Sequence, residues 1–298
     1  MKKDKDHPLV SIISVNYNTD KVTIEMLQSL RQLTYPNVEV IVVDNASTID
    51  AGYIAAEFPE IIFIQNPVNE GFAGGNNRGI EKAKGDFILL LNNDTEVEPG
   101  FLEPIVDLFY SDENVGIVSP KILYYQTKSI IQYAGGTPIN PFTARGSFIG
   151  TGEIDAGQYD VPSRTHLAHG AAMAISRRVL DKIGLLPEDY FLYYEELDFC
   201  EHAKRAGFTI WYQPKSVIYH KESMSVGKIS LLKIYYQNRN RLLFIRRNIS
   251  GFQGLVSRLF FISVSTPLSM IKYSLQGKWD FVNRLWAGLM WNLHYKRY

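Results

Sequence analysis

The stretch that decides the fold is residues 85–100, which read GDFILLLNNDTEVEPG. Its apolar run, residues 87–91, is bounded by Gly-Asp and stops abruptly in polar residues. A short apolar run of this kind is typical of a strand that is covered on both faces. Ligands of parallel sheets bind outside the carboxyl ends of the strands, so Asp94 is predicted to lie at a ligand site. The alternative is that residues 92–95 only form a turn, which Asn and Asp favour.

The residues before this stretch alternate between strand and helix patterns. The predicted elements are a strand at 9–17, a helix at 22–33, a strand at 38–43, a helix at 50–58 and a strand at 61–65. This βαβαβ order predicts an α/β fold with a mostly parallel central sheet flanked by helices. Because the first two strands end at Asn16 and Asp44, we expect both side chains to converge on the same sheet edge as Asp94.

A glycine-rich segment, NEGFAGGNNRG at residues 69–79, lies between the third strand and the stretch at 85–100. A dinucleotide-binding fingerprint would place such glycines directly after the first strand, where this chain has Asn-Tyr-Asn. The chain also lacks the P-loop pattern G-x-x-x-x-G-K-[ST]. The segment is predicted to be a loop that either lets the backbone approach a ligand or simply turns the chain into a short helix at 80–83.

Composition indicates a globular protein of ordinary type. The 298 residues are 46% hydrophobic and 21% charged, and the single Cys200 excludes an intramolecular disulfide framework. Residues 1–8 are polar and lysine-rich and lack the form of a signal peptide. We therefore expect a cytoplasmic protein.

The two ends of the chain differ in charge. Residues 1–220 carry 18 Lys and Arg against 29 acids, whereas the remainder carries 13 Lys and Arg against two acids. A basic, aromatic-rich segment could contact nucleic acid, an anionic membrane or the acidic part of its own protein. The apolar run at 259–271 has 13 residues, short of the ~20 that a spanning helix needs. With Trp279, Trp286 and Trp291 nearby, we expect helices at the inner face of the cytoplasmic membrane, or a contact between copies of the chain, and no nucleic-acid partner.

These motifs together resemble the inverting glycosyltransferases of family 2, which have the GT-A fold, and in particular their bacterial rhamnosyltransferase-like members. The resemblance covers roughly residues 9–250 and is carried by residues 10–18, 42–47, 69–79 and 90–100, the last being similar to the family's metal-binding D-x-D-type turn. The chain departs from that motif at Asn92, which replaces the first acid. Asp94 alone would then supply the carboxylate of the motif.

The resemblance implies a nucleotide-diphosphate sugar donor, with dTDP or UDP as the expected nucleotide. The residues implied in donor binding are Asn16, Asn18, Asp44, Asn69, Gly71, Asn76, Asn93, His169 and Gly170. Asp44 suits the nucleoside, because a carboxylate accepts hydrogen bonds from ribose hydroxyls or a base N–H. A structural role remains the alternative for His169. Arg239, on a predicted helix at 228–248, could reach the donor diphosphate or only complement the helix C-terminus.

A divalent cation, Mg²⁺ or Mn²⁺, is the expected cofactor. Asp94 at a strand end is a hard oxygen ligand, and such cations bind through few carboxylates plus substrate phosphates. The resemblance adds His220, at the end of a predicted strand at 217–220, as a second ligand. Neutral imidazole can ligate a metal, and a purely structural histidine is the alternative.

A cluster of acids follows the aromatic run at 191–194 and begins a predicted helix that ends at Gly207. Acids in a first helical turn often only complement the helix dipole. The resemblance instead implies that Glu196 is the catalytic base, with Glu195 and Asp198 beside it. A carboxylate in that position could take the proton of an acceptor hydroxyl.

The predicted function is therefore transfer of a sugar to a bacterial surface polysaccharide or a lipid-linked glycan. The predicted catalytic domain spans residues 1–225, and the predicted basic helical extension spans 226–298. The alternatives are a sugar nucleotidyltransferase, which would need a basic glycine-rich loop after the first strand, and a non-catalytic carbohydrate-binding protein.

Overall fold

The computed structural model describes residues 7–222 and 230–295 of the chain. The predicted boundary between residues 225 and 226 lies outside the described residues. Within the described ranges ten strands form one sheet: β1 Val10–Asn16, β2 Val38–Asp44, β3 Ile62–Gln65, β4 Phe87–Leu91, β5 Thr95–Val97, β6 Val115–Tyr124, β7 Ile131–Tyr133, β8 Ser163–Thr165, β9 Ala172–Ser176 and β10 Thr209–His220. The same ranges hold ten α-helices: α1 Asp20–Leu30, α2 Tyr53–Glu57, α3 Gly71–Lys82, α4 Glu103–Ser111, α5 Arg177–Ile183, α6 Glu195–Arg205, α7 Leu231–Asn248, α8 Gly251–Phe260, α9 Thr266–Leu275 and α10 Trp279–His294.

The first half of the sheet is parallel, as the βαβαβ pattern predicts. Strands β3, β2, β1 and β4 lie side by side in that order and run in one direction. In the register of β1 with β2, Asn16 pairs with Asp44 at the carboxyl ends. This register places the two polar side chains at one edge.

Apolar side chains alternate between the two faces of this parallel half. Ile12, Val42 and Leu89 lie in one buried cluster with residues of α1 and α4. Ile13, Ile41 and Leu90 lie in a second cluster with residues of α3 and α5. The apolar strands are thus covered on both sides, as residues 87–91 predict.

Beyond β4 the sheet is mixed. Strand β9 runs antiparallel to both β4 and β6, and β6 pairs in parallel with β10. The short strand predicted at 217–220 is the end of a longer strand, β10, which begins at Thr209. Its register against β6 shifts between Gln213 and Val217. Pro214 lies in this interval and has no N–H to donate, so the ladder is interrupted while the strand continues.

The short strand β5, which the sequence pattern does not predict, places Asp94 within the site. It pairs antiparallel with β10, so that Thr95 lies opposite His220. The Lys221 amide donates to the Asp94 carbonyl at 2.8 Å. The turn after β4 is therefore attached to the end of β10.

The glycine-rich segment is not a loop, and that prediction is wrong. Residues 71–82 form the helix α3, which packs on the parallel half of the sheet. A Cβ added at Gly79 would lie 2.3 Å from Ile13 Cγ2, and one added at Gly75 would lie 3.0 Å from Val15 Cγ1. These glycines let the helix approach β1 closely, which a loop interpretation based on glycine content misses.

Gly79→Ala is expected to destabilise the protein despite the better helix propensity of alanine. The new methyl group would overlap Ile13, and overpacking of a core costs typically 1–3 kcal/mol, against about 1 kcal/mol gained in propensity. Urea denaturation measures the difference. The control is Gly100→Ala, where the nearest atom to an added Cβ is Thr34 Oγ1 at 3.8 Å. Equal stability of the two variants would contradict the close approach of α3 to β1.

The C-terminal helices contain one long apolar segment. Helix α8, a π-helical turn at Phe261–Ser265 and α9 follow one another without a break. Together they span Gly251–Leu275, 25 residues that include an 18-residue stretch with a mean hydropathy of 1.4, so the segment is long and apolar enough to cross a membrane by length and composition. The prediction that the apolar run is too short to span is therefore wrong, because the helix extends beyond residues 259–271 at both ends.

Candidate active site

A buried hydrogen-bond network joins the carboxyl ends of β1 and β2. Asn16 donates through Nδ2 to Asp44 Oδ1 at 2.8 Å. Asp44 also accepts hydrogen bonds from the amide and the hydroxyl of Ser47, at 3.1 and 2.6 Å. The structure thus brings Asn16 and Asp44 together, and the carboxylate fixes the turn that follows β2.

The polar residues after β4 extend this network. Asn93 Nδ2 donates to the hydroxyls of Thr19 and Thr23, both at 2.8 Å. Thr23 in turn donates to Asn16 Oδ1 at 2.8 Å. Three strand ends are therefore held by one continuous set of hydrogen bonds, on the edge where a ligand of a parallel sheet binds.

Three other candidates for donor binding form hydrogen bonds with nearby backbone. Asn18 accepts a hydrogen bond from a backbone amide at 2.8 Å, Asn69 accepts one from the Gly71 amide at 2.9 Å, and Asn76 donates to a backbone carbonyl at 2.9 Å. These bonds fix the backbone near the ends of β1 and β2 and at the start of α3. Direct contact of these residues with a donor stays a prediction.

Asp94 and His220 lie together at the same edge. Asp94 Oδ1 is 3.1 Å from His220 Nε2, and both side chains are buried. They come from sequence positions 126 residues apart and meet because β5 pairs with β10. The two predicted metal ligands are thus adjacent in the fold.

Gln132, on β7, fixes the imidazole of His220. Its Oε1 lies 2.7 Å from His220 Nδ1, and the side chain is buried. An amide oxygen can only accept, so Nδ1 carries a proton in this arrangement and Nε2 faces Asp94. Sequence reasoning missed Gln132, because it lies in the irregular region between residues 124 and 164 and no local pattern reveals its pairing with β6.

His169 lies next to this pair and stays neutral. Its Nδ1 accepts a hydrogen bond from the Ala171 amide at 3.0 Å, and its ring centroid is 5.9 Å from that of His220. Burial lowers the pKa of His169 to about 3, helped by the neighbouring His220. A neutral imidazole with an acceptor Nδ1 presents Nε2–H as a donor. In this structure the proton of the His169 ring therefore lies on Nε2.

The Asp94–His220 pair fits a divalent cation that binds together with a phosphorylated substrate. Among residues 7–222 and 230–295, no group of three or more His, Cys, Asp and Glu side chains could hold a metal ion. At this edge the described chain would therefore supply two ligands, Asp94 and His220. Mg²⁺ and similar hard cations keep several waters and bind through one or two carboxylates plus substrate phosphates, so two protein ligands suffice.

Two acids begin α6. Burial raises the pKa of Glu195 well above its ordinary value, and the adjacent Glu196 carboxylate raises it further. Burial also raises the pKa of Glu196, whose side chain is half-buried. An added Cβ at Gly170 would lie 3.9 Å from Glu196 Cγ. Glu196 therefore borders the segment that carries His169 and Gly170, and the structure brings the base candidate to the donor-side residues.

Asp198 is turned away from this pair. Its Oδ2 lies 3.3 Å from Arg247 Nη2, its Oδ1 accepts a hydrogen bond from Asn248, and the side chain is fully buried. This ion pair ties α6 to the end of α7. Asp198 thus has a structural partner, which its neighbourhood to Glu196 in the sequence does not reveal.

Comparison with known proteins agrees with this architecture. Residues 11–184 match Glycosyl transferase family 2. The low-salt glycan biosynthesis hexosyltransferase Agl10 of Haloferax volcanii is 30% identical over 275 residues, which cover 87% of this chain and 82% of that protein. The N-acetylglucosaminyl-diphospho-decaprenol L-rhamnosyltransferase of Mycobacterium tuberculosis is 21% identical over 267 residues, covering 82% and 86%.

Solved structures show the same fold at low sequence identity. The mannosyltransferase PcManGT from Pyrobaculum calidifontis, in complex with GDP-Man and Mn²⁺, has a TM-score of 0.58 and 17% identity, and the match covers 99% of this chain and 77% of that one. TarS from S. aureus, in complex with UDP, has a TM-score of 0.58 and 17% identity, with 93% and 80% covered. The predicted family and fold are confirmed: this chain belongs to glycosyl transferase family 2 and is a glycosyltransferase with the GT-A fold.

Proposed function

We propose that this enzyme transfers a sugar from a nucleotide-diphosphate donor to a hydroxyl of a glycan or lipid-linked acceptor, with inversion at the anomeric carbon. The observation that carries the proposal is the meeting of the Asp94–His220 pair and the neutral His169 at one sheet edge, with Glu196 beside Gly170. The complexes of similar folds with GDP-Man or UDP support a nucleotide-linked donor. UDP or dTDP is the proposed nucleotide.

Glu196 acts in this proposal as the general base. An acceptor hydroxyl is a poor nucleophile, and a carboxylate within hydrogen-bond reach removes its proton as the oxygen attacks the anomeric carbon. The new C–O bond forms as the bond to the diphosphate breaks, with the electron pair leaving on the phosphate oxygen. A raised pKa strengthens Glu196 as a base, provided that the pH is high enough to keep it ionised.

Asp94 and His220 would hold the divalent cation next to the diphosphate that leaves. Negative charge accumulates on the diphosphate as it leaves, and a bound cation offsets that charge. Gln132 keeps the proton of His220 on Nδ1, so that Nε2 is oriented toward Asp94. Such an outer partner fixes the orientation of a ligating histidine.

Incubating the purified protein with UDP-, dTDP- and GDP-sugars, with and without Mn²⁺, tests the activity. Metal-dependent release of nucleoside diphosphate is expected with one nucleotide. In a parallel incubation with added pyrophosphate, formation of nucleoside triphosphate and sugar 1-phosphate would instead identify a sugar nucleotidyltransferase. Metal-independent sugar binding without turnover would identify a carbohydrate-binding protein.

The proposed location is the inner face of the cytoplasmic membrane, with the helix at 251–275 lying on the bilayer surface. One side of this helix is fixed to α7: Thr266 donates to Asn238 at 3.2 Å, and Arg241 donates to Ser265 at 3.2 Å. The other side exposes apolar residues; Phe252 is 76% and Leu275 85% exposed. Arg258 and Lys272 lie on the same helix. Basic and apolar residues together favour an anionic membrane surface.

Flotation with anionic vesicles tests this location. The intact protein is expected to float at low salt and to lose much of that binding at high salt, because charge attraction is screened. The combined change Phe252→Gln, Leu268→Gln and Leu275→Gln should abolish flotation. The matched control changes three exposed apolar residues elsewhere to Gln: Ile49, Ile154 and Val161.

Equal flotation of both triple variants, or none by the unaltered protein, would assign the apolar side to protein contacts, including a second copy of the chain. Resistance of membrane-bound protein to carbonate extraction would show that the helix crosses the bilayer instead of lying on it.

A further inference from the structure

The loop that leads into the two acids of α6 has an uncommon backbone. Phe191, Tyr193 and Tyr194 have φ values of 63°, 70° and 79°. Aromatic residues rarely adopt this left-handed region, so the surrounding structure must hold the loop. Glu195 and Glu196 follow directly. The placement of both carboxylates therefore depends on what fixes the three aromatic residues.

Asn240, on α7, is bound to this loop by one amide group. Its Nδ2 lies 2.8, 2.7 and 2.8 Å from the carbonyl oxygens of Tyr190, Leu192 and Tyr193, and the side chain is fully buried. Its Oδ1 accepts a hydrogen bond from Arg239 Nε at 2.7 Å. With carbonyls on one side and a guanidinium donor on the other, the orientation of the amide is fixed by its partners.

Arg239 binds the beginning of the same loop. Its Nη2 donates to the carbonyls of Asp189 and Tyr190, both at 2.6 Å. The guanidinium carbon lies 4.3 Å from the ring centroid of Trp291 and 4.7 Å from that of Tyr236. The predicted alternative, a contact with the donor diphosphate, is not supported, because these partners already occupy the buried side chain.

The start of α3, which carries the predicted donor-binding residue Gly71, contacts the loop on the side opposite to α7. The Phe72 amide, in the first turn of α3, donates to the Phe191 carbonyl at 2.7 Å. Gly71 has a φ of 73°, and a Cβ there would lie 2.1 Å from the same carbonyl oxygen. Only glycine fits at this position. The loop is thus held between the glycine-rich helix of the donor side and α7.

We propose that Asn240 is a positioning residue for catalysis: by holding the carbonyls of Tyr190, Leu192 and Tyr193 it sets the place of Glu195 and Glu196 relative to the donor site. This inference rests on the proposed function, because it takes Glu196 as the base. Asn240 touches no reacting atom and acts through the loop. Residues beyond 230 then contribute to the geometry of the active site itself.

The test compares Asn240→Asp with Asn238→Asp in the intact chain. Asn238 is a matched control on the same helix: its buried Nδ2 donates to the Leu285 carbonyl at 2.8 Å, which connects α7 to α10 and not to the loop. Each aspartate keeps the shape of the side chain and removes the donor. Both variants should lose some thermal stability, since each removes at least one buried hydrogen bond.

Only Asn240→Asp is expected to affect catalysis selectively. The turnover number should fall on the order of 10²-fold, as for a misplacement of about 1 Å, while the Kd for UDP, dTDP or GDP with Mn²⁺ stays that of the unaltered protein. Hydrogen exchange of the amides of residues 190–196, followed by mass spectrometry, should be faster in Asn240→Asp and unchanged in Asn238→Asp.

Equal loss of turnover in the two variants, or full turnover in Asn240→Asp, would overturn the positioning role. Glu196→Gln, measured in parallel, separates this failure from failure of the proposed function. An inactive Glu196→Gln with a fully active Asn240→Asp refutes the positioning role alone. Active Glu196→Gln and Glu195→Gln variants refute the base assignment, and the positioning role with it, even if the loop of Asn240→Asp exchanges faster.

Discussion

Asp94→Ala is expected to abolish turnover and to remove the metal dependence of donor binding. The side chain is the only acid of the turn at residues 92–95 and lies 3.1 Å from His220. A cation that stabilises a leaving diphosphate is worth several kcal/mol, so the rate should fall on the order of 10³-fold or more. Calorimetric titration with a nucleoside diphosphate, with and without Mn²⁺, measures the binding part of the effect.

The control for this variant is Asp107→Ala. Asp107 is an exposed acid on α4, and its removal should change neither turnover nor metal-dependent binding. If Asp94→Ala kept the same metal-dependent affinity as the unaltered protein, Asp94 would be only a turn-forming residue, which was the alternative prediction from the sequence.

Glu196→Gln is expected to lower the transfer rate on the order of 10²–10⁴-fold, the usual contribution of a positioned general base. Folding and nucleotide binding should be nearly unchanged, because glutamine keeps the shape of the side chain. The control is Glu201→Gln on the same helix, whose carboxylate forms an ion pair with Lys204 at 2.7 Å. Full activity of Glu196→Gln together with an inactive Glu195→Gln would show that the neighbouring acid is the base.

The pH dependence of the unaltered enzyme should follow from the same residue. A base works only when it has lost its proton, so the rate rises with pH through the pKa of Glu196. Because burial raises this pKa, the acid limb of the rate profile should lie above the range of an exposed glutamate. An acid limb at or below that range would contradict Glu196 as the ionising group.

Local pattern was enough to predict the parallel half of the sheet and the edge that carries the site. The strand runs ending at Asn16 and Asp44 are apolar and bounded by turn residues, and their order along the chain implies the right neighbours. Asp94 and His220 could be paired only through the family resemblance. Their contact depends on the short strand β5, for which three residues give no periodic signal.

Features set by tertiary contacts were not predictable from local pattern. Glycine content suggested a loop at 69–79, whereas the helix α3 needs those glycines to approach β1. Gln132 and Asn240 act on residues 88 and 47 to 50 positions away along the chain, and a single polar residue carries no signal of such a partner. For Asp198 the sequence is misleading in the opposite way. It lies close to Glu196 in the sequence, but its carboxylate pairs with Arg247 and not with the candidate site.

The anomeric configuration of the product tests the central claim most directly. A single displacement, with Glu196 as base and a departing diphosphate, must give the opposite configuration to that of the donor sugar. Proton NMR of the product formed from an accepted nucleotide sugar reads this configuration from the coupling of the anomeric proton. We predict inversion; retention of the donor configuration would contradict the mechanism.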